Sequence, residues 1–267
     1  MKILITGAGG FLGQYLTQTM SAQHDVTGVS KQQLNLANAS AVAGFFSHDT
    51  YDAVINCAAT GRYTPMSEDA AITANNLASI INLVTAKEKY RQLINIGTGA
   101  EFDLSQDINN ASESEIYNRN PKQSYGLSKN IIARYLETQP NCYTMRLFGC
   151  FDSSEDSNRI FKKLHSVVAQ RQTFEIEDRM FDTISAKDFG SILSAVIDHK
   201  IHDQNINCVY AKKYRLSEIL SVYCNKHNLD AGLIKIKAQG LNYTGNGNVL
   251  SKYNVNLQGL EQALTEY

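Results

Sequence analysis

Residues 2–13 read KILITGAGGFLG and place an apolar segment directly before a glycine-rich turn. Gly7, Gly10 and Gly13 form a GxxGxxG pattern there, and the turn opens into a predicted helix. In such a pattern one glycine makes the tight turn, a second lets backbone N–H groups approach a pyrophosphate, and a third permits close packing of helix on strand. A lone glycine triplet has low specificity, but its position after an N-terminal strand predicts a dinucleotide site.

Apolar strands and amphipathic helices alternate along the first 150 residues. Strands are predicted at 2–6, 25–29, 53–58, 92–97 and 142–147, and helices at 11–20, 39–47, 70–90 and 124–138. Strict alternation implies parallel strands joined by right-handed crossovers. The predicted fold class is therefore α/β, a Rossmann-like doubly wound parallel sheet with a small mixed α/β C-terminal substrate-binding part.

The pattern of polar and apolar residues changes after Gly149, where a polar stretch precedes shorter predicted helices and strands. Further helices are predicted at 159–170, 187–199, 216–227 and 257–264, and further strands at 175–185, 206–210 and 233–236. We expect residues 1–150 to form the NAD(P)-binding Rossmann domain, with 176–204 returning to it. Residues 151–175 and 205–267 are expected to form the smaller substrate-binding region.

The composition limits the kinds of molecule that the protein is expected to bind. The chain has 267 residues and a formal net charge of −1, which gives no electrostatic basis for binding nucleic acid or an anionic membrane. No apolar run approaches the roughly 20 residues that span a bilayer, and residues 6–10 interrupt the apolar start too early for a secretory signal. The five cysteines include no CxxC pair, and the six histidines show no metal-ligand spacing. We expect a cytoplasmic protein with reduced thiols and no metal site.

The end of the second predicted strand bears on the choice of cofactor. An acidic residue there accepts hydrogen bonds from the adenosine 2′-OH of NAD and repels the 2′-phosphate of NADP. The strand ends Gly28–Lys31 without an acid, and Ser30 beside Lys31 suits a phosphate. NADP(H) is therefore favoured, while NAD(H) stays possible because Lys31 could equally be a solvated loop lysine.

Several motifs taken together resemble the extended short-chain dehydrogenase/reductase family, in particular its NAD(P)-dependent nucleotide-sugar epimerase/dehydratase/reductase branch. The matching segments are Thr6–Gly13, Val54–Ala59, Asn76, Asn82, Asn95–Thr98, Tyr125–Lys129, Met145–Gly149, Phe181–Asp182 and Asp188–Phe189. The resemblance implies the following cofactor-binding residues: Gly7, Gly9, Gly10, Phe11, Leu12, Gly13, Ser30, Lys31, Asn35, Leu36, Cys57, Ala58, Ala59, Asn76, Tyr125 and Lys129. It also implies a nucleotide-sugar substrate and a homodimer formed through the helices predicted at 70–90 and 124–138.

Tyr125 and Lys129 are the residues expected to carry out proton transfer. A tyrosine with a pKa of about 10 exchanges protons poorly at neutral pH, whereas a lysine four residues later lies on the same helix face and favours the phenolate. Of the fourteen tyrosines, Tyr125 alone has lysine at that offset. The alternative is an ordinary surface i,i+4 contact. The resemblance also implies that Lys129 holds the nicotinamide ribose.

Thr98 is the third candidate catalytic residue. It ends the fourth predicted strand, where open α/β sheets place ligands, and its hydroxyl could hydrogen-bond the substrate oxygen that Tyr125 protonates. An aromatic residue four places later, Phe102, supports this alignment with the family. Alternatively, Thr98 only stabilises the Gly97–Gly99 turn.

The residues after Thr98 exclude two reactions of the family. Sugar-nucleotide 4,6-dehydratases carry Thr-Asp-Glu at this point because elimination of water needs an extra acid and base. Here Gly99 and Ala100 follow, and Glu101 is displaced by one position. Epimerase-reductases place a cysteine where Ala100 stands. Ketone reduction or 4-epimerisation through transient oxidation remains, and the NADP preference favours a reductase.

The substrate contacts rest on fewer signals. The expected residues are Arg62, Thr98, Gly99, Phe148, Gly149 and Arg159. The family commonly has asparagine where Gly149 stands, so that contact is unassigned. Arg159 could meet a diphosphate together with Lys162 and Lys163, or the three could form a solvated helix face. A non-catalytic NADP-binding sensor is a further alternative, although such members usually lack an intact Tyr/Lys pair.

Overall fold

The computed structural model describes residues 1–61 and 69–267, so Arg62, a predicted substrate contact, lies outside the described residues. The strands of the described part are β1 (Lys2–Thr6), β2 (Asp25–Val29), β3 (Tyr51–Asn56), β4 (Tyr90–Thr98), β5 (Ile108–Ala111), β6 (Cys142–Leu147), β7 (Cys150–Phe151), β8 (Phe174–Asp178), β9 (Ile184–Ser185), β10 (Asn205–Asn207), β11 (Ile234–Gln239) and β12 (Tyr243–Gly245). Its helices are α1 (Phe11–Met20), α2 (Ala39–Phe46), α3 (Ala70–Thr85), α4 (Ser124–Glu137), α5 (Ile160–Ala169), α6 (Ala186–Ile197), α7 (Leu216–Lys226), α8 (Asn248–Ser251) and α9 (Leu260–Thr265).

A six-stranded parallel sheet with the order β10-β6-β4-β3-β1-β2 forms the centre of the molecule. The predicted Rossmann-like α/β fold is confirmed. From β1 the chain runs first to β2 on one side and then to β3 on the other, so the winding direction reverses between β1 and β3. Such a reversal opens a crevice at the carboxyl ends of the strands, which is where open α/β sheets bind ligands.

Side chains on the two faces of the sheet enter separate apolar cores. Ile3 and Ile5 of β1 pack with Leu16 of α1 and with the buried side of α6. Leu4 points to the opposite face and joins a core with residues of α2, α3 and α4, among them Ile80. This alternation follows from the two-residue period of a strand, and helices on both faces explain why the strands are apolar throughout.

Buried polar side chains link the carboxyl ends of the central strands. The Thr6 hydroxyl donates to Asn56 Oδ1 at 2.7 Å, and Asn56 Nδ2 donates to Asn95 Oδ1 at 2.9 Å. All three residues are at most 4% exposed. Because each buried polar group is costly unless it is hydrogen-bonded, this chain of contacts fixes the ends of β1, β3 and β4 beneath the crevice.

The structure differs from the predicted element pattern mainly in its shorter elements. The strand predicted at 206–210 for the smaller region is β10, which pairs with β6 at the edge of the main sheet. The strand predicted at 175–185 is divided into β8, which ends at Asp178, and β9; the Asp178 carboxylate accepts hydrogen bonds from Arg215 Nε and Ser217 N. The short strands β5 and β12 were not predicted. The division into two domains stays a prediction.

Three small parallel pairs, β11 with β8, β12 with β5, and β7 with β9, surround the carboxyl end of the main sheet. The pairing of β12 with β5 brings residues near 243 beside the short 3-10 turn Gly99–Phe102 that follows β4. Among the described residues no helix has both the length and the apolar character needed to cross a membrane.

Candidate active site

The glycine turn after β1 has the close approaches that a dinucleotide site needs. Gly7 has a φ of +73°, and a β-carbon there would lie 2.6 Å from the backbone nitrogen of Ala58. A β-carbon on Gly13 would lie 2.3 Å from the Gly7 carbonyl oxygen, so only glycine lets α1 pack this closely on the turn. Helix α1 starts without a side-chain cap and without an acid in its first turn. Its N-terminal N–H groups and positive dipole end therefore suit a phosphate.

A cavity of about 500 Å³ opens over this turn at the carboxyl ends of β1, β2 and β3. Its wall contains the following predicted cofactor residues: Gly7, Gly9, Gly10, Ser30, Lys31, Asn35, Leu36, Cys57, Ala58, Ala59 and Asn76. Leu12 instead packs against the apolar core, and Gly13 lies behind the turn. The structure thus gathers most of the predicted cofactor residues around one cleft.

Asn76 holds the wall of this cleft through its side-chain amide. Its Nδ2 donates to the Thr60 carbonyl at 3.0 Å and to the Ser128 hydroxyl at 2.9 Å, while its Oδ1 accepts from Thr60 N at 2.7 Å. Ser128 in turn donates to the Tyr125 carbonyl at 2.7 Å. Asn76 therefore joins α3, the segment after β3 and α4, which carries the candidate catalytic pair.

Lys129 is 3% exposed, and its Nζ donates to the Ile96 carbonyl at 2.6 Å. Burial lowers the pKa of Lys129, an effect that the nearby Glu101 partly offsets. Cys57 in the cleft wall is close enough to Lys129 for their charges to interact, although burial raises the pKa of its thiol to about 12. Lys129 thus lies directly beneath the cofactor cleft, beside a neutral thiol.

Thr98 and Tyr125 meet at the wall of a second cavity of about 730 Å³, which adjoins the first. The Thr98 side chain lies near that of Tyr125 and influences its pKa. Burial and the charge of Glu101 raise the pKa of Tyr125 to about 12, and the Thr98 contact opposes this rise. Phe11, Phe148 and Arg159 also line this cavity, so the structure brings these predicted residues together.

Glu101 is directed away from both cavities. Its Oε2 accepts from Arg146 Nε at 2.6 Å, and both side chains are fully buried. Its Oε1 accepts from Thr98 N at 2.9 Å, which caps the turn that carries Thr98. Arg146 also donates through Nη1 to Asn207 Oδ1 at 3.1 Å. The carboxylate therefore stabilises the turn and is occupied by a guanidinium, as its displaced sequence position suggests.

Two predicted substrate residues, Gly99 and Gly149, lie behind the cavity wall. A β-carbon at Gly99 would lie 2.5 Å from the Phe148 ring and 2.7 Å from the Tyr243 hydroxyl. A β-carbon at Gly149 would lie 2.9 Å from Thr183 Oγ1. Neither position has room for a side chain. The asparagine that the family commonly has at position 149 would not fit here.

Arg159 lines the second cavity, and its guanidinium already interacts with neighbouring groups of the protein. Its Nε lies 3.3 Å from Glu155 Oε2, its Nη2 donates to the Cys150 carbonyl, and its guanidinium lies 5.4 Å from the centroid of the Phe11 ring. The neighbouring Lys162 ammonium instead lies over the Tyr267 ring at 5.4 Å. Lys163 is exposed. Of these three cations, Arg159 is the one that faces the cavity.

Sequence reasoning missed several residues of the second cavity, among them Tyr243 and Arg179. Tyr243 packs on the Phe148 ring with a centroid distance of 5.0 Å, and Arg179 extends into the same cavity over the Phe181 ring at 5.6 Å. Arg179 Nε is buried and has no hydrogen-bond partner among residues 1–61 and 69–267. Both residues lie in irregular or very short segments of the C-terminal half, so neither periodicity nor a motif signals them.

The sequence model of the NAD dependent epimerase/dehydratase family matches residues 3–208, which include the glycine turn, Thr98, Tyr125 and Lys129. The chain belongs to this family. The predicted membership of the nucleotide-sugar branch of the extended short-chain dehydrogenase/reductases is confirmed. The matched segment of this NAD dependent epimerase/dehydratase family protein ends one residue after β10, and Leu241, Asn242 and Tyr243 of the second cavity lie beyond it.

Proteins whose names describe nucleotide-sugar enzymes are among those similar to this chain. GDP-L-colitose synthase of Yersinia pseudotuberculosis is 23% identical over 253 residues, covering 83% of this chain and 80% of that protein. The crystal structure of a dTDP-4-dehydrorhamnose reductase from Clostridium acetobutylicum has a TM-score of 0.85 and 21% identity, covering 100% of this chain and 98% of that one. A dTDP-4-dehydrorhamnose reductase from Bacillus anthracis, in complex with NADP, has a TM-score of 0.81 and 15% identity, covering 100% and 96%.

Proposed function

We propose that this protein is an NADP-dependent reductase that converts the 4-keto group of a nucleotide-activated 6-deoxy sugar to a hydroxyl. The observation that carries the proposal is the pair of hydroxyls, Tyr125 and Thr98, at the wall of a large cavity that adjoins the dinucleotide cleft. Because Gly99 and Ala100 supply no acid and Glu101 is paired with Arg146, the residues that follow Thr98 do not provide the additional acid and base that elimination of water needs, whereas Tyr125 and Thr98 suffice for carbonyl reduction.

The state of Tyr125 suits a proton donor. Its raised pKa keeps the phenol protonated at neutral pH, so its proton is available for the sugar oxygen as negative charge develops there. A reduced nicotinamide supplies the hydride when it is bound. The carbonyl carbon then gains a C–H bond, and the proton that leaves Tyr125 completes the hydroxyl. The charge of Lys129 beneath the cleft favours the phenolate that remains.

The residues that line the cofactor cleft favour binding of NADP over NAD. Ser30 and Lys31 line it at the end of β2, where the adenosine ribose of a dinucleotide is expected, and its described wall contains no carboxylate. A lysine attracts a 2′-phosphate, whereas an acid would repel it. The similar reductase from Bacillus anthracis was crystallised with NADP, in agreement with this proposal.

The lining of the second cavity suits a sugar that has an apolar edge. Aromatic rings of Phe11, Phe148, Phe181 and Tyr243 line it, while Arg159 supplies a charge that a diphosphate could meet. The aromatic rings suit a deoxygenated sugar carbon, because such a carbon loses no hydrogen bond when it packs against them. The name of the similar reductases, dTDP-4-dehydrorhamnose reductase, describes a nucleotide-linked keto sugar.

The proposal is tested with purified protein, NADPH or NADH, and a panel of 4-keto-6-deoxy nucleotide sugars. We expect oxidation of NADPH, followed by absorbance, with at least one of them and a lower kcat/KM with NADH. Absence of turnover with every keto sugar, together with interconversion of UDP-hexoses by protein that retains NAD, would instead identify a 4-epimerase.

A further inference from the structure

Arg159 is held on three sides at the wall of the second cavity. Its Nε lies 3.3 Å from Glu155 Oε2, and its Nη2 donates to the Cys150 carbonyl. One face of the guanidinium lies 5.4 Å from the centroid of the Phe11 ring. A guanidinium has five N–H donors, and these contacts use two of them. Within the described part of the chain, the other donors are available to a ligand.

Glu155 is a buried partner of this arginine. Its side chain is 1% exposed, and its second oxygen, Oε1, accepts from the Tyr267 hydroxyl at 2.8 Å. The Tyr267 ring in turn packs against Phe161 at 5.4 Å and Tyr223 at 5.3 Å between centroids. A buried carboxylate is costly unless it is paired and hydrogen-bonded. Because both oxygens of Glu155 have partners, the carboxylate is a fixed point of attachment for Arg159.

The contacts of Arg159 leave one edge of its planar guanidinium open. Nε and Nη2 form the edge that meets Glu155 and the Cys150 carbonyl, while Nη1 and Nη2 form the open edge. Two parallel N–H groups on such an edge match two oxygens of a phosphate. An arginine that is already held loses less conformational freedom when a ligand binds, so its affinity for that ligand is higher.

We propose that Glu155, itself held by Tyr267, is a positioning residue that presents the open edge of Arg159 to the diphosphate of the nucleotide-activated sugar. This inference rests on the proposed reductase function for the identity of the substrate. It assigns Glu155 no contact with the substrate and no part in proton transfer.

The charge of Glu155 has the opposite effect on an anionic ligand. A carboxylate beside the site repels a diphosphate, so its removal would strengthen binding if charge alone decided the outcome. If the position of Arg159 decides, the same removal weakens binding. The direction of the change in affinity therefore separates the two effects.

The first test compares two uncharged replacements of Glu155. Glu155→Gln retains an oxygen that can accept from Arg159, whereas Glu155→Leu retains only an apolar side chain. We expect KM for an accepted keto-sugar nucleotide to rise about threefold in the first and about tenfold in the second, because charged acceptors bind more strongly than neutral ones. The kcat value should stay within about twofold, since the lost interaction concerns binding alone. An unchanged or lowered KM in both variants would overturn the inference.

Glu261→Gln is the matched control for the loss of charge. Glu261 Oε1 accepts from Lys212 Nζ at 2.9 Å and from the Tyr214 hydroxyl at 2.8 Å, so it also joins a cation to a tyrosine. It lies outside the wall of the second cavity. Its replacement should leave KM unchanged.

The second test asks whether Glu155 acts through Arg159 and with Tyr267. In an Arg159→Met background, Glu155→Gln should produce no further rise in KM. Tyr267→Phe retains the ring and removes the hydroxyl, and it should raise KM about threefold in the wild-type background but not in the Glu155→Leu background. If Glu155→Gln raises KM equally with and without Arg159, the carboxylate does not act through the arginine and the inference is overturned.

A third measurement does not depend on turnover. Protein saturated with NADP⁺ is titrated with GDP, UDP and dTDP in a calorimeter, and the nucleotide that binds most tightly should lose about tenfold in affinity in Glu155→Leu. Absence of binding by all three, or equal affinity in wild type and variant, would overturn the inference. Wild-type protein that is inactive but shows this loss would refute the proposed function alone. Active wild-type protein with unchanged KM in both Glu155 variants would refute the role of Glu155 alone.

Discussion

At the scale of single residues, neighbouring groups shift the pKa of the Tyr125 hydroxyl in opposite directions. Burial and Glu101 raise its pKa, and Thr98 lowers it. The sequence predicted that Lys129 would lower the pKa of Tyr125. In the structure the pKa of Tyr125 is raised instead, because the phenol is buried, while the Lys129 ammonium donates to the Ile96 carbonyl. The net upward shift favours the reductive direction, in which Tyr125 starts as an acid.

This direction of the shift predicts how the rate depends on pH. With a pKa of about 12, Tyr125 stays protonated as the pH rises from about 7 to about 9, so kcat/KM for reduction should stay level over that interval. Oxidation of the alcohol product needs the phenolate, whose fraction rises about tenfold for each pH unit below the pKa. Its rate should therefore increase with pH. Initial rates in both directions provide the check, and a fall in the reductive rate between these values would contradict the assignment of Tyr125 as the acid.

Tyr125→Phe separates catalysis from cofactor binding. Loss of the hydroxyl removes the proton donor and should lower kcat by about a hundredfold or more. The ring still fills its place, so the NADPH dissociation constant, measured by calorimetry, should change by less than about threefold. If both variant and wild type bind NADPH and neither reduces any keto sugar, the protein is better described as a cofactor-binding sensor.

At the scale of elements, the contact between α1 and the glycine turn predicts a sharp response to one methyl group. Gly13→Ala would bring a β-carbon within 2.3 Å of the Gly7 carbonyl oxygen, so α1 must move from the turn. We expect NADPH binding to weaken at least about tenfold, because the helix N-terminus no longer meets the phosphates.

Gly44→Ala in α2 is the matched control for this substitution. A β-carbon at Gly44 would meet nothing within 4 Å. Alanine has the higher helix propensity, so this variant should be more stable by about 0.5–1 kcal/mol in urea unfolding and should bind NADPH like the wild type. Normal NADPH affinity in Gly13→Ala would show that the turn tolerates displacement of α1.

The elements that sequence reasoning placed well share a physical cause. Strands β1, β2 and β6 and helices α1 and α4 have strong apolar patterns, because they are buried in the main sheet or against it, and their predicted bounds agree with the structure to within one residue. The pair β5 and β12 has only four and three residues and depends on pairing across more than 130 positions. Such pairing leaves no local pattern, and for this reason Tyr243 was missed while Thr98 and Tyr125 were not.

At the scale of the whole molecule, exposed apolar residues bear on the expected homodimer. Ile81 on α3 and Ile131 on α4 are 49% and 36% exposed, and these two helices pack on each other. We expect sedimentation velocity to show a dimer that Ile81→Glu shifts toward monomer, since a buried unpaired carboxylate opposes association. Ile236→Glu, at a position that is 53% exposed on β11, should stay dimeric. A monomeric wild type would exclude this arrangement.

The close fit of Gly99 beneath Tyr243 also limits how this chain can evolve. A dehydratase needs an acid near Thr98, but a side chain at position 99 would collide with a tyrosine whose strand is held by backbone hydrogen bonds on both sides. A single substitution at position 99 would therefore damage the fold before it supplied new chemistry. The rings of Phe148 and Tyr243 must first give way, so any route to a dehydratase site is conditional on mutational order. Among related sequences, positions 99 and 243 should consequently change together, although 143 residues separate them.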